Sequence, residues 1–180
     1  FRLVNRALAA GGTAHFDAGR YVVSGVATAR LDAWAGELSL RAERRTGADA
    51  GSAVVLSRVA LYKSLSPSMD AGWSEWLLDQ YEFRYTVITN ADFQAGDLGT
   101  RFDVILFASD RARTIKDGFT KGRVPPSIEG GLGDAGIRAL DEFVRKGGTM
   151  VAINQGAIFA IDALHLPVKN VVQGLASKEF

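Results

Sequence analysis

The chain has 180 residues, 47% of them apolar and 23% charged, which is typical of a globular protein that can bury a sizeable core. Lys and Arg total 21 against 20 Asp and Glu, so no basic field predicts binding to nucleic acid or to an anionic membrane. The sequence has no cysteine, only two histidines and no apolar run of about 18 residues, which excludes thiolate chemistry, a three-histidine metal site and a membrane span.

The first 50 residues predict a small α+β unit. A short helix is indicated by apolar residues at helical spacing before two glycines, in "FRLVNRALAAGG". Two β-rich runs around Asp17, Ala18 and Gly19 predict a hairpin. The amphipathic stretch that follows Thr28 predicts a second helix, capped by the Thr28 side chain. Residues 1–50 therefore form a helix-hairpin-helix appendage.

The polar, glycine-bearing residues 44–53 mark a domain boundary, and residues 54–180 are predicted to form an α/β domain. Predicted strands cover residues 53–64, 83–89, 101–109 and 149–153. Predicted helices cover residues 69–81, 133–147 and 155–164. Residues 90–98 and the glycine- and proline-rich residues 109–134 are predicted to be loops. There are no internal repeats.

Strands that alternate with helices predict right-handed crossovers and a mostly parallel sheet covered on both faces. The expected fold class is an α/β three-layer sandwich, flavodoxin-like or Rossmann-like, with the small N-terminal unit attached. Residues 59–63, 103–108 and 149–153 are predicted to be its central strands, with residues 84–88 alongside, because these mainly apolar runs suit strands buried on both faces.

In such sheets ligands bind at the carboxyl ends of the strands. Four residues near these ends are candidates for ligand binding, namely Ser66, Ser68, Asp70 and Ser109. The first three open a helix, where a phosphate can bind, but the loop lacks both a dinucleotide glycine triplet and a P-loop motif. A helix cap made by Ser68 or Asp70 is the favoured interpretation. Structural roles are likewise favoured for His15 and His165, because no nucleophile is paired with them.

Two further features have alternative interpretations. Trp73, Trp76 and Leu77 share one helical face, which predicts a buried core face first and a domain interface second. Residues 111–134 are too long for a simple connection and have few large apolar side chains. This loop is expected to cover the ligand side of the sheet or to contact another domain, and to need a partner surface or stay mobile.

Residues 147–164, "GGTMVAINQGAIFAIDAL", predict a strand, a tight turn and a helix. This layout holds the nucleophile in α/β hydrolases, because the turn lifts one side chain beside a helix N-terminus. The run "FVRKGGTMVAINQGAIFA" resembles the nucleophile turn of class I glutamine-amidotransferase-like domains. In that resemblance Asn154 stands in the cysteine position, Gln155 in the variable position, and Gly156 begins the Gly-Ala pair. It implies a degenerate nucleophile turn. A helix cap made by Asn154 is the favoured interpretation, and ligand binding through its amide is the alternative.

More of the chain resembles the C-terminal amidotransferase-like region of bacterial zinc carboxypeptidase-like proteins. The stretches that carry this resemblance include "VNRALAAGG", "GRYVVSG", "FDVILFAS", "GGLGDAGIRALDEFVRKGGTMVAI" and "LPVKNV". It implies an exported protein longer than this chain, whose zinc and general base belong to a separate N-terminal peptidase domain. The first residue, Phe1, agrees with a piece of a longer protein.

The resemblance implies a non-catalytic accessory domain without a cofactor of its own, which packs on that peptidase domain or binds peptide substrate. The alternative is a small-molecule binding module with a pocket at the strand ends. A hydrolase that uses Ser66, Ser68 or Ser109 ranks last, because no base is evident to activate a serine.

Overall fold

The computed structural model describes residues 1–47, 51–172 and 174–176. It is a mixed α/β protein with two compact units, each containing one sheet. The first unit consists of Phe1–Ser57 and Trp76–Arg84, and the second consists of Arg58–Glu75 and the chain from Tyr85 onward. The segment Trp76–Arg84, which is predicted above to belong to the α/β domain, is part of the first unit.

The first unit contains the predicted helix, hairpin and second helix, followed by a short third strand. In chain order its elements are α1 (Arg2–Ala9), β1 (Thr13–Asp17), β2 (Arg20–Ser24), α2 (Thr28–Glu37) and β3 (Ser52–Val54). The strands are antiparallel in the order β2-β1-β3. The predicted cap at Thr28 is wrong, because Ala27 holds the N-cap position and Thr28 is the first helical residue.

An ion-pair network fixes α1 within this unit. The Arg6 guanidinium donates to both Glu82 carboxylate oxygens at 2.7 Å, and Arg2 Nη2 donates to Glu82 Oε1 at 2.8 Å. Arg6 Nη1 also reaches Glu37 Oε2 at 2.7 Å. Asn5, which is buried, donates its side-chain amide to the Tyr81 carbonyl at 2.8 Å. These contacts account for the grouping of Trp76–Arg84 with α1.

The second unit is built on a four-stranded parallel sheet. The elements from Val59 onward are β4 (Val59–Tyr62), α3 (Met69–Gln80), β5 (Tyr85–Ile88), α4 (Asn90–Ala95), α5 (Leu98–Arg101), β6 (Val104–Phe107), α6 (Ala112–Lys116), α7 (Gly133–Arg145), β7 (Thr149–Ala152) and α8 (Gln155–Ala163). Helix α3 continues into the segment assigned to the first unit. The strand order is β5-β4-β6-β7, and every neighbouring pair is parallel.

The predicted parallel sheet is therefore confirmed, with two corrections. Residues 53–64 were predicted as one strand, but β3 pairs with β1 in the antiparallel sheet whereas β4 pairs with β5 and β6. The chain changes sheets between Val54 and Val59, so a continuous ladder is impossible there. Strand β7 was predicted to be central, but it pairs with β6 alone and lies at the edge of the described sheet.

The main core lies on one face of the parallel sheet. Alternate residues Ala60, Tyr62, Ile105 and Phe107 are buried on this face. All five helices from α4 to α8 supply buried side chains to it, namely Phe93, Leu98, Ile115, Leu140 and Phe159. Phe107 stacks on Phe159 with ring centroids 5.6 Å apart.

The other face of this sheet is less completely covered. Leu61 is fully buried there, but Val87 and Val151 are each 41% exposed. The prediction that both faces are covered is wrong at these two positions. The reason is that the five helices that follow β5 all supply their buried side chains to the opposite face.

Both predicted loops contain helices. Residues 90–98 include α4, whose N-terminus is closed by a capping box between Thr89 and Asp92. The loop after β6 includes α6 and a 3-10 turn, Pro126–Ile128. Ile115 and Leu132 are buried, and the Leu132 amide donates to the Ile115 carbonyl at 2.8 Å. The long loop is thus anchored on its own unit by two of its few large apolar side chains.

Helix α3 turns its largest apolar side chains to solvent. Trp73, Trp76 and Leu77 are 60%, 53% and 50% exposed. The favoured interpretation of these residues as core is wrong, because the buried and half-buried positions of the helix are Ala71, Ser74, Glu75 and Leu78.

Candidate functional site

The turn between β7 and α8 has a strained backbone at Asn154. This residue has φ 48° and ψ −112° and occupies the N-cap position of α8. A non-glycine residue in such a conformation costs about 1–3 kcal/mol and is held only by its surroundings. The Asn154 side chain makes no capping hydrogen bond, and instead its Nδ2 donates to Ser109 Oγ at 3.1 Å. The favoured role of Asn154 as a side-chain cap is therefore wrong.

Gly156 allows the start of α8 to lie against the end of β6. A Cβ atom at this position would lie 2.8 Å from the Ala108 carbonyl oxygen and 3.1 Å from that of Phe107. The neighbouring Gln155 is exposed at the surface of the turn. Close packing of Gly156 is what brings Asn154 within hydrogen-bond distance of the loop that follows β6.

Three of the predicted site residues are linked by hydrogen bonds at the carboxyl ends of β4, β6 and β7. Ser68 Oγ donates to the Ser109 carbonyl at 2.6 Å, and Ser109 Oγ accepts from Asn154. Ser68 Oγ also accepts from the Ala71 amide at 3.3 Å, which makes Ser68 the cap of α3. The cluster therefore consists of Ser68, Ser109 and Asn154.

The other two candidates stay apart from this cluster. Ser66 and Asp70 are exposed, and no hydrogen bond within the described ranges joins their side chains to it. Asp70 contributes its backbone carbonyl to the Ser74 hydroxyl at 2.8 Å. Of the two predicted caps of α3, the structure uses Ser68.

Sequence reasoning missed a hydroxyl–carboxylate pair beside the cluster. The buried Ser64 donates through Oγ to Asp110 Oδ2 at 2.8 Å, and the other Asp110 oxygen accepts from the Arg111 amide. Both residues follow strands, β4 and β6, and this position was a signal available in the sequence. Because Ser64 is only 7% exposed, its hydroxyl serves the structure and is shielded from a substrate.

A second polar pair is buried beneath the long loop. Tyr62 OH donates to Asn90 Oδ1 at 2.7 Å, and Asn90 Nδ2 donates to the Gly130 carbonyl at 3.2 Å. Burial, together with the nearby Asp110 carboxylate, raises the pKa of Tyr62 far above its ordinary value of 10.0. Tyr62 therefore stays protonated and fixes the loop to the sheet.

The cluster offers hydroxyl and amide groups but no activated nucleophile. The Ser68 hydroxyl donates to a backbone carbonyl, and the acceptor of the Ser64 hydroxyl is a carboxylate. Neither histidine belongs to the strand-end loops, since His15 lies on β1 and His165 follows α8. The arrangement suits binding through hydrogen bonds better than acyl transfer, which needs a base beside the nucleophile.

The loop between β6 and α7 forms an open surface depression of about 500 Å³. Its lining is mainly polar and includes Arg113, Phe119, Lys121, Glu129 and Gly130. Within the described ranges, no group of three or more acidic or histidine side chains is placed to hold a metal ion. Among the helices of those ranges, none has both the length and the apolar character needed to cross a bilayer.

Comparisons with protein-family models, with curated proteins and with solved structures found no match. The function is therefore inferred from the residues and their geometry.

Proposed function

We propose that this chain is a non-catalytic accessory domain of a secreted zinc metallocarboxypeptidase-like protein. It acts by packing on the N-terminal peptidase domain of the same polypeptide, which holds the zinc, or by binding peptide substrate. The proposal rests on Asn154. It is the strained residue of a strand-to-helix turn, at the position where such a turn would hold a nucleophile. An amide side chain cannot attack a carbonyl, so the turn keeps its shape without its chemistry.

The strand order supports the finer fold within this proposal, a flavodoxin-like three-layer sandwich. Numbered from β4, the described sheet has the order 2-1-3-4, which is the beginning of the flavodoxin-like order. In that fold the strand that carries the turn of Asn154 would be followed by a further strand on the same side. Its ligand sites lie at the carboxyl ends of the strands, where the cluster of Ser68, Ser109 and Asn154 is found.

The proposal predicts that the purified chain has no amidase or peptidase activity, and that Asn154→Cys creates none. The reason is that a thiol placed at this turn would still lack a histidine base and its acidic partner. The measurement is hydrolysis of glutamine and of a panel of chromogenic peptides, with thiol titration to show that the new cysteine is accessible. Turnover by the unmodified chain that Asn154→Ala abolishes would refute the proposal.

A second candidate function is a small-molecule binding module with its site at the strand ends. It is supported by the exposed amide of Asn154 and the half-buried hydroxyls of Ser68 and Ser109. The depression in the loop between β6 and α7 has a volume of about 500 Å³, which lies within the range of ligand pockets, and it is lined by other residues, including Arg113 and Lys121. Thermal shift with free amino acids and dipeptides tests this function, because a ligand that binds the folded state raises Tm. A rise in Tm that Ser109→Ala removes would favour it.

A further inference from the structure

The depression in the loop between β6 and α7 is lined by charged side chains of both signs. Arg113 and Lys121 supply two positive charges, and Asp117 and Glu129 supply two negative charges. All of its lining residues lie between positions 113 and 130, within the second unit, and it is called the 113–130 depression below. Its volume of about 500 Å³ suits a small ligand.

These four charged side chains do not neutralise one another. Arg113 lies in α6 and Asp117 is the C-cap of that helix, four positions later, a spacing that ordinarily allows an ion pair. Within the described ranges, however, no ion pair joins any of the four, and the side chains of Arg113, Asp117 and Lys121 make no hydrogen bond. Glu129 Oε1 accepts from the Gly122 amide at 2.6 Å. Three of the four charged groups are therefore open to a ligand.

Backbone contacts hold the loop around the depression in a closed conformation. The Gly130 amide donates to the Phe119 carbonyl at 2.9 Å, and the Gly130 carbonyl accepts from Asn90 Nδ2 at 3.2 Å. Gly118 lies so close to Gly130 that a Cβ atom on Gly118 would collide with the Gly130 carbonyl oxygen. Because these contacts form without a ligand, binding does not have to order the loop, and less conformational entropy is lost.

We propose that the 113–130 depression binds a small zwitterion, an amino acid or dipeptide with free ammonium and carboxylate groups. Arg113 and Lys121 bind the carboxylate, and Asp117 binds the ammonium group. Phe119, which is 37% exposed, offers an apolar surface to the ligand's side chain. A ligand with charge of only one sign fits less well, because the like-charged side chains of the depression repel it. The site shares no lining residue with the cluster at the strand ends, so this proposal goes beyond the proposed function.

The test titrates the isotope-labelled whole chain with the dipeptide Gly-Phe and follows the backbone amide signals by NMR. The matched ligands are N-acetyl-Gly-Phe, which lacks the ammonium charge, Gly-Phe amide, which lacks the carboxylate, and the form with both ends blocked. Gly-Phe is expected to bind most tightly, with shifts concentrated in the amides of residues 113–130. Each single block should weaken binding by at least about threefold, and the double block should weaken it further.

Two variants show which side chains bind which end of the dipeptide. Arg113→Gln with Lys121→Gln should weaken binding of Gly-Phe but not that of Gly-Phe amide. Asp117→Asn should weaken binding of Gly-Phe but not that of N-acetyl-Gly-Phe. All three positions are exposed, so the fold should tolerate these changes. The matched control is Lys116→Gln, at an exposed position of the same helix outside the lining of the depression, which should leave the affinity unchanged.

Four results would overturn the proposal. Three are equal binding of Gly-Phe and its doubly blocked form, equal weakening by Lys116→Gln, and no shift in residues 113–130 at millimolar Gly-Phe. The fourth is a set of shifts centred on Ser109 and Asn154 that Ser109→Ala removes, which would favour the second candidate function instead. The signals of the dipeptide itself report hydrolysis in the same samples. Turnover would refute the non-catalytic function without moving the binding site, so the two proposals fail separately.

Discussion

At the scale of single residues, position 156 accommodates only glycine without strain, because the backbone at the end of β6 lies against it. Gly156→Ala should lower the free energy of unfolding by about 1–3 kcal/mol, because its Cβ would lie 2.8 Å from the Ala108 carbonyl oxygen. Urea denaturation measures this change. The matched control is Gly72→Ala within α3, where a Cβ meets nothing within 4 Å. That substitution should raise stability by about 0.4–1 kcal/mol, and a loss similar to that of Gly156→Ala would contradict the steric explanation.

Glu82 makes the first unit sensitive to acid. Hydrogen bonds from Arg6, and then from Arg2, lower the pKa of Glu82 from 4.5 to about 2. A carboxylate with a lowered folded-state pKa contributes stability above the unfolded pKa, and this contribution is lost as the pH falls from 4.5 toward 2. Glu82→Gln should therefore be less stable than the unmodified chain at pH 7, with a difference that shrinks below pH 4.5.

Denaturation of both proteins between pH 2 and pH 7 checks this prediction. The control is Glu142→Gln, which breaks an exposed i,i+4 pair with Lys146 and should change stability little. A difference between the Glu82 variant and the unmodified chain that does not vary with pH would show that the network contributes through packing and not through charge.

The residues of the candidate site were only partly predictable. Ser68, Ser109 and Asn154 could be found because each lies just after the end of a strand, and parallel strands bring their carboxyl ends to one edge. Ser64 and Asp110 also follow strands, but their mutual hydrogen bond joins residues 46 positions apart and has no local signature. The donation of Asn154 to Ser109 in place of a helix cap depends on a backbone conformation that sequence patterns do not show.

At the scale of elements, the long connection after β6 is held by buried side chains at both ends. Ile115 lies in α6 and Leu132 precedes α7, and they are 0% and 1% exposed. Ile115→Ala should cost about 2–5 kcal/mol, as large-to-small substitutions in a core do. Chemical denaturation measures the loss, and hydrogen exchange should show α6 protected in the unmodified chain and exposed in the variant.

The comparison for this loop is Ile128→Ala, at a half-buried position in the 3-10 turn, which should cost clearly less. Rapid exchange of α6 in the unmodified chain, together with a negligible loss in Ile115→Ala, would restore the expectation of a mobile loop that needs a partner.

The elements that the sequence failed to predict are the short helices. Periodic apolar runs were long enough to predict α3, α7 and α8, whereas α4, α5 and α6 have only four to six residues each. Helices this short are unstable alone and depend on tertiary burial. Phe93, Leu98 and Ile115 supply that burial, one from each helix. The local sequence pattern does not show this tertiary burial. The glycines around these segments favour a loop prediction instead.

At the scale of the whole molecule, the alternation of strands and helices was enough to predict a parallel sheet but not how its faces are covered. Strands that are covered on both faces lack strong polar alternation. Their sequence pattern is the same whether the domain itself or another polypeptide covers a face. Val87 and Val151 belong to such a pattern and are 41% exposed. The same ambiguity explains why the sequence predicts a core position for Trp73, Trp76 and Leu77, although each is at least half exposed.

The two units differ in how much apolar volume they bury, and this predicts how the molecule unfolds. Among the described residues, the buried apolar side chains of the first unit are small ones, Val4, Ala7, Ala14 and Ala35. The second unit buries several aromatic and branched aliphatic side chains around Phe107. Because the stability of a region follows the apolar surface that it buries, the first unit should open at lower free energy than the second.

Native-state hydrogen exchange in low urea measures both openings. Amides of β1 and β2 should exchange through an opening of lower free energy than amides of β4 and β6. Glu82→Gln should lower protection in β1 and β2 and leave β4 and β6 unchanged, because its partners Arg2 and Arg6 lie in α1. If all four strands exchange with one common free energy that the variant lowers equally, the two units unfold as one cooperative structure, and the size of each core does not decide the order of opening.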